Sequence, residues 1–149
     1  MSEAEILAAE RAWNDQVIEE FRAGKELIVG TFPRPFLLLL HSTGARTGQP
    51  RTSPLAYVRD GDRYVVTASA AGRGRHPAWY FNLLASSRVT VELWSDDVIE
   101  EFEVVATPAE GAERDALWET FTSWQSAYAD YQNQTSRRIP VVTLSRTTS

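Results

Sequence analysis

Apolar and polar residues follow two different periods along this chain, and the change falls at Pro33 and Pro35. Before that point Ile6, Trp13, Val17 and Phe21 recur at helical spacing, with acids and Arg11 on the other face. This predicts an amphipathic helix. Ser2 and Glu5 have the spacing of a capping box, and Gly24 and Gly30 are placed to end the element. Because its polar face is acidic, the helix is expected to pack on its own domain. A partner protein or an anionic membrane is the less favoured surface.

Beyond the prolines the pattern is that of strands. Phe36–His41 is a continuous apolar run of the kind that fills a barrel core. Pro54–Arg59 and Arg63–Ser69 flank Asp60-Gly61-Asp62, where Gly61 accepts the positive φ of a tight hairpin. Arg88–Trp94 and Val98–Ala106 alternate around a Ser95-Asp96-Asp97 turn. Arg138–Leu144 is expected as a last strand, with Pro140 placing it at an edge or bulge. Two helices interrupt the strands. One is Pro77–Ala85, with proline at the first helical position. The other opens at a second capping box, Thr107-Pro-Ala-Glu110, and carries Leu117, Phe121, Trp124, Tyr128 and Tyr131 on one stripe. About six strands joined mostly by hairpins, with flanking helices, indicate an α+β domain built on a small antiparallel barrel.

Composition narrows the chemistry. The 149 residues are enough for one domain with a real core. Cysteine is absent, which excludes disulfides, thiolate metal sites and cysteine nucleophiles. His41 and His76 are the only histidines, so no metal centre is expected. No secretory signal is visible, and the densest apolar run is too short to cross a bilayer. A cytoplasmic protein is expected, with attachment to the inner face of the membrane as the lesser alternative. Monomer and homodimer are both open.

The net charge is −5, yet between Gly44 and Arg75 six arginines (46, 51, 59, 63, 73 and 75) meet only Asp60 and Asp62. An acidic chain with one basic segment argues against nucleic acid, which wants a broadly positive face. It suits a local site for a small anion. The segment holds two glycine-arginine loops. In Gly44-Ala-Arg-Thr-Gly-Gln-Pro-Arg51 the glycines let the backbone turn and present its N–H groups, while Arg46, Thr47 and Arg51 add side-chain donors. The alternative is a surface hairpin with solvated arginines. It is neither a Walker loop nor a Rossmann fingerprint. The second loop, Ser69 to Pro77, precedes a helix start that favours a nearby anion. His41 reads as a structural histidine, and His76 as either a loop-shaping residue or a catalytic acid. Tyr128 and Tyr131 are core material or the wall of a pocket for a planar ligand. Hydrolase arrangements are missing, so the chemistry has to come from a bound cofactor.

Taken in order, these motifs resemble the deazaflavin-dependent nitroreductases. The carriers are Gly44 to Arg51, Pro54-Leu55, Arg59-Asp-Gly-Asp-Arg63, Ala68-Ser69 with Gly72, His76-Pro-Ala-Trp-Tyr80, Asn82-Leu83, Tyr128-Ala-Asp-Tyr131 and Arg138-Ile-Pro-Val141. The resemblance runs from about Phe36 to Leu144. It implies a split β-barrel of the FMN-binding type over residues 31–149, with residues 1–30 as a helical N-terminal addition to the same domain. It also implies coenzyme F420, a deazaflavin with a phosphate and a polyglutamate tail; FMN is the alternative. The activity implied is hydride transfer from the reduced coenzyme to a small organic acceptor: an enone, a quinone or a nitroaromatic. A non-catalytic deazaflavin carrier is the reading from another class.

By this resemblance Arg46, Thr47, Gly48 and Arg51 hold the phosphate and tail, and Pro54, Ala68, Ser69, Trp79 and Asn82 line the deazaflavin. Ala70, Gly72, Arg75 and Pro77 complete the cofactor set. Ser69, Tyr128 and Tyr131 stand near the reactive ring and the acceptor as the catalytic candidates. Three positions depart from the family pattern. Ala70 stands where lysine is common, leaving a tail contact to Arg73 or Arg75. Gln125 stands where some members carry an aromatic, and Ala56, followed by Tyr57, where some carry tyrosine.

Overall fold

A computed structural model describes residues 2–30, 32–72 and 74–147, with Ala71 described by its backbone only. Arg73 lies outside the described residues. Helix α1 (Glu3–Arg22) starts at Ser2, whose hydroxyl accepts the Glu5 N–H at 3.1 Å. It ends well before residue 30: Gly24 turns the chain at φ +78°, and β1 (Leu27–Ile28) pairs with β2 (Phe32–Pro33). A 3-10 turn (Arg34–Phe36) then leads into β3 (Leu37–Thr43).

The remaining elements are β4 (Pro50–Ala56), β5 (Val58–Asp60), β6 (Arg63–Thr67), α2 (Ala78–Ala85), β7 (Arg88–Ser95), β8 (Val98–Pro108), α3 (Gly111–Trp124), α4 (Ala127–Asn133) and β9 (Val141–Arg146). Seven strands form one antiparallel sheet in the order β4-β3-β7-β8-β9-β6-β5. The sheet curls into the expected split barrel, with α2 over its interior.

Leu37–Leu40 are all buried because both faces of β3 are covered. Leu38 and Leu40 join Val66, Trp79, Val91, Phe102 and Leu144 inside the barrel. Leu37 and Leu39 meet Val17 and Phe21 of α1. Val65 and Val141 point the other way, onto Leu117 and Phe121 of α3. Helix α1 is therefore anchored by its C-terminal half, while Ile6 and Trp13 of the predicted stripe remain exposed.

Four local expectations are corrected. Thr107 and Pro108 do not cap a helix: they continue β8 opposite Thr143 and Val142, and α3 starts at Gly111. The aromatic stripe is broken at Gln125, whose extended backbone (φ −145°, ψ 106°) separates α3 from α4. Pro77 is the residue before α2 rather than its first. Pro140 marks no edge, since β9 lies inside the sheet between β8 and β6. The proline sits one residue ahead of the strand and its carbonyl accepts the Ala68 N–H at 2.9 Å. Among the described residues no helix is long and apolar enough to cross a membrane.

Candidate active site

The basic loop joining β3 to β4 is held by its own hydrogen bonds. Gly44 N–H donates to the Gln49 carbonyl at 2.8 Å and Gly48 N–H to the Gly44 carbonyl at 2.9 Å. Gln49 N–H donates to Thr47 Oγ1 at 3.2 Å. Ala45 N–H donates to Asn82 Oδ1 at 2.9 Å. Most of the loop's backbone donors are thus spent, and the expectation of a cradle of free N–H groups is corrected. The loop is so tight that a Cβ on Gly44 would lie 2.7 Å from Thr47 Oγ1. What it offers an anion is side chains: Arg46 and Arg51 are exposed and form no ion pair with a described residue.

Asn82 makes this rigidity possible. It is 5% exposed, on α2, and its Nδ2 donates to Ser42 Oγ at 3.2 Å while Oδ1 takes the Ala45 N–H. One buried amide therefore ties helix, strand and basic loop together. A buried amide whose groups are paired is a locating device. Trp79, on the same helix, is packed into the barrel core. Pro54 of β4 stays half-buried, opposite Leu39.

The second loop is organised by a residue that local pattern did not single out. Arg137 donates to the carbonyls of Ala68 (3.0 Å) and Ser69 (2.8 Å) and to His76 Nδ1 (2.9 Å). Burial, and then the neighbouring Arg137 charge, lower the His76 pKa, so this ring stays neutral with Nδ1 as acceptor. His76 shapes the loop. Ala68 is fully buried, its N–H donating to the Pro140 carbonyl and its own carbonyl accepting from Arg137, so it supports the loop from beneath rather than lining an open face. Ser69 is half-buried, and its hydroxyl makes no hydrogen bond with a described residue. Ala70 holds a left-handed φ of +46° directly after it, a conformation that costs a non-glycine residue energy. Arg75 is almost fully exposed and pairs loosely with Glu3 at 3.8 Å.

Helix α4 closes the site from the other side. A Cβ on Gly72 (φ +81°) would lie 2.9 Å from the Tyr131 carbonyl and 3.0 Å from its Cα, so only glycine lets the Ser69 turn pack against α4. The rings of Tyr128 and Tyr131 meet edge to face at 5.6 Å. Tyr128 also packs against Phe121 and stacks on Trp124. Burial, with the Tyr131 charge adding to it, pushes the Tyr128 hydroxyl up to about 12, so it remains a proton-bearing donor at neutral pH. The structure thus brings Ser69, Gly72, Tyr128 and Tyr131 to one place. Asn82 links Arg46 to the α2 wall that carries Trp79.

The profile of the F420H(2)-dependent quinone reductases matches residues 13–146. The chain belongs to this family. An F420H(2)-dependent quinone reductase of Mycobacterium tuberculosis (strain H37Rv) is 44% identical over 115 residues, which cover 75% of this chain and 74% of that protein. A solved F420-H2 dependent reductase (FDR-A) is 36% identical, with a TM-score of 0.63 over 74% of this chain and 94% of its own. Another solved relative, described as a domain-swapped dimer, is 33% identical, with a TM-score of 0.65 over 87% of this chain and 94% of its own. Membership in the F420H(2)-dependent quinone reductase family makes this protein an oxidoreductase whose cofactor is coenzyme F420, the first of the two flavin-type cofactors expected. The residues fit that group: two exposed, unpaired arginines for an anionic tail, and a rigid wall with a free hydroxyl for the ring.

Proposed function

We propose that the protein oxidises reduced coenzyme F420 and passes the hydride to a quinone, with Arg46 and Arg51 holding the coenzyme's phosphate and tail. The single observation that carries this reading is the basic loop itself. It presents two unpaired arginines in an acidic protein, and a buried Asn82 fixes it to the helix that walls the ring site. A fixed loop loses little freedom on binding, and its charges make binding salt-sensitive.

The bound coenzyme supplies the hydride. The protein's own residues position and stabilise. Trp79, Pro54 and the Ser69 backbone form the wall against the ring. Arg137 holds that backbone in place by donating to the Ala68 and Ser69 carbonyls, the second of which also accepts the Gly72 N–H. The Ser69 hydroxyl is free to donate to the oxygen that becomes negative as a quinone accepts hydride. Tyr131, packed against the Gly72 turn, is placed to do the same or to deliver the proton. Tyr128, with its raised pKa, keeps its proton and supports Tyr131 through ring contact.

The test is a single-turnover reaction: reduced coenzyme F420 mixed with protein and a quinone, followed by the return of the oxidised coenzyme's absorbance. Rapid, protein-dependent oxidation supports the reading. Tight coenzyme binding with no turnover would leave a carrier. The second reading concerns assembly: the solved domain-swapped relative favours a homodimer over a monomer.

A further inference from the structure

A cavity of about 350 Å³ opens between the start of α3 and the segment that carries Pro140. Gly111 and Arg114 of α3, Arg138, and His76 of the second loop line it, with Glu110 beside the helix start. Arg46, Thr47 and Arg51 take no part in its walls, so it is separate from the basic loop. Its donors outnumber its acceptors. Glu110, the residue before α3, makes no capping bond with its side chain, and the first N–H to reach back to its carbonyl is that of Arg114, at 3.3 Å. The N–H groups of Gly111, Ala112 and Glu113, all at exposed positions, are therefore left to water or a ligand. His76 keeps Nδ1 as the acceptor for Arg137, so its hydrogen is on Nε2, which bonds to no described residue.

Arg114 is the decisive group, because it is only 8% exposed. Its Nη2 donates to the Ile139 carbonyl at 2.6 Å and its Nη1 to Asp115 Oδ1 at 3.3 Å, while Nε is buried without a partner. Arg138 bonds to the same Asp115 oxygen, so one carboxylate serves two guanidiniums. Burial, and then the Arg138 charge, lower the Arg114 pKa. Both effects mark a cation whose counter-charge is incomplete, a costly state for a buried group. Glu110 is exposed at the rim and forms no ion pair with a described residue. The inner wall therefore asks for an anion.

We infer that this cavity binds the phosphate group of a small molecule, held by the first-turn N–H groups of α3, the charges of Arg114 and Arg138, and His76 Nε2–H. The donors come from three separate segments, which the oxygens of a tetrahedral oxyanion satisfy better than the two of a carboxylate. The room beyond one phosphate is walled by Tyr80, Pro108 and Pro140, which suits an ester with an apolar group. The site goes beyond the proposed function and does not depend on it.

The test titrates the full chain, without coenzyme and at fixed ionic strength, with inorganic phosphate and with phenyl phosphate, followed by calorimetry and amide NMR. Both probes are expected to shift the amides of Gly111, Ala112 and Glu113 and the His76 ring, in native protein and equally in Arg46→Ala/Arg51→Ala. Arg138→Ala, at an exposed position, should weaken binding about five- to tenfold. Glu110→Gln, which removes a competing charge from the rim, should tighten it about twofold. Tighter binding of phenyl phosphate assigns the site to an ester, and equal binding assigns it to free phosphate; both support it. Shifts confined to residues 44–51 and lost in Arg46→Ala/Arg51→Ala, or binding that ignores Arg138→Ala, overturn it. Displacement of the probes from residues 111–113 by coenzyme F420 also overturns it, since the cavity would then be part of the coenzyme's own site.

Discussion

Asn82 Oδ1 accepts the Ala45 N–H at 2.9 Å, so a side chain on α2 sets the position of a loop attached to the opposite strand pair. Its other end donates to Ser42, which leaves neither half of the amide free. Substitution by alanine leaves the Ala45 N–H and the buried Ser42 hydroxyl without this partner, at a cost of about 1–3 kcal/mol. Asn82→Ala is expected to lower the melting temperature and to weaken coenzyme F420 binding about tenfold. Asn82→Asp keeps the acceptor for Ala45 and should fall between. Thermal melts and coenzyme fluorescence titrations on the same samples check both effects; unchanged coenzyme affinity in Asn82→Ala would separate this amide from the loop's function.

Arg137 plays the matching part for the second loop. Arg137→Ala leaves the Ala68 and Ser69 carbonyls and His76 Nδ1 without this donor. The expected outcome is a fall in kcat of about tenfold or more, because the Ser69 hydroxyl loses its fixed position. Coenzyme affinity should change less, since Arg46 and Arg51 sit on the other loop. Hydrogen exchange across residues 68–76 should speed up in the variant. Protection equal to the native protein would argue against the positioning role.

Ser69 and Tyr128 separate by kinetics. Ser69→Ala is expected to lower kcat with little change in quinone KM, by about tenfold to a hundredfold, the mark of a donor used mainly in the transition state. Tyr128→Phe keeps the ring stack on Trp124 and should cost much less. Because the Tyr128 hydroxyl titrates at about 12, it should contribute no tyrosinate absorbance at pH 10, the ordinary tyrosine value. Greater tyrosinate absorbance in native protein than in Tyr128→Phe at that pH would contradict its burial.

Helix α1 carries its own pH signature. Glu92, 7% exposed on β7, accepts from Arg22 of α1 at 2.9 Å and from His41 at 2.5 Å. Burial pushes its carboxyl up, but the hydrogen bonds from Arg22 and His41 outweigh that and hold it below the ordinary value of 4.5. The folded pKa lies below the unfolded one. The stabilisation is therefore fully present above about pH 4.5 and is lost as the pH falls through the folded value. Native protein should lose melting temperature below that point. Glu92→Gln should melt lower at pH 7 and show a flatter acid limb; parallel curves for the two proteins would contradict the linkage.

The elements that local period determines were readable in the sequence. Alternation marked β7 and β8, and Asp60-Gly61-Asp62 marked the β5–β6 hairpin, because turns and pleats depend on neighbours in the chain. Pro108 and Pro140 misled for the same reason: their local preferences gave way to pairing with β9 and with Ala68, partners far along the chain. The basic loop was found, but its donors looked free, since only the fold shows Asn82 reaching Ala45. Arg137 went unremarked in the Arg137-Arg138 pair; its bonds to residues 68, 69 and 76 have no local signal. Gln125, noted as a departure from the family pattern, is where α3 and α4 separate.

Arg46 and Arg51 are proposed to hold the anionic part of coenzyme F420. The deciding measurement is fluorescence titration of native protein and of Arg46→Ala/Arg51→Ala with oxidised F420, at low and high salt and with FMN in parallel. Tight F420 binding that weakens with salt is expected, with a loss of about tenfold or more in the double variant and far weaker FMN binding that the substitutions barely change. FMN bound as tightly as F420, or F420 bound equally well without the two arginines, would contradict it.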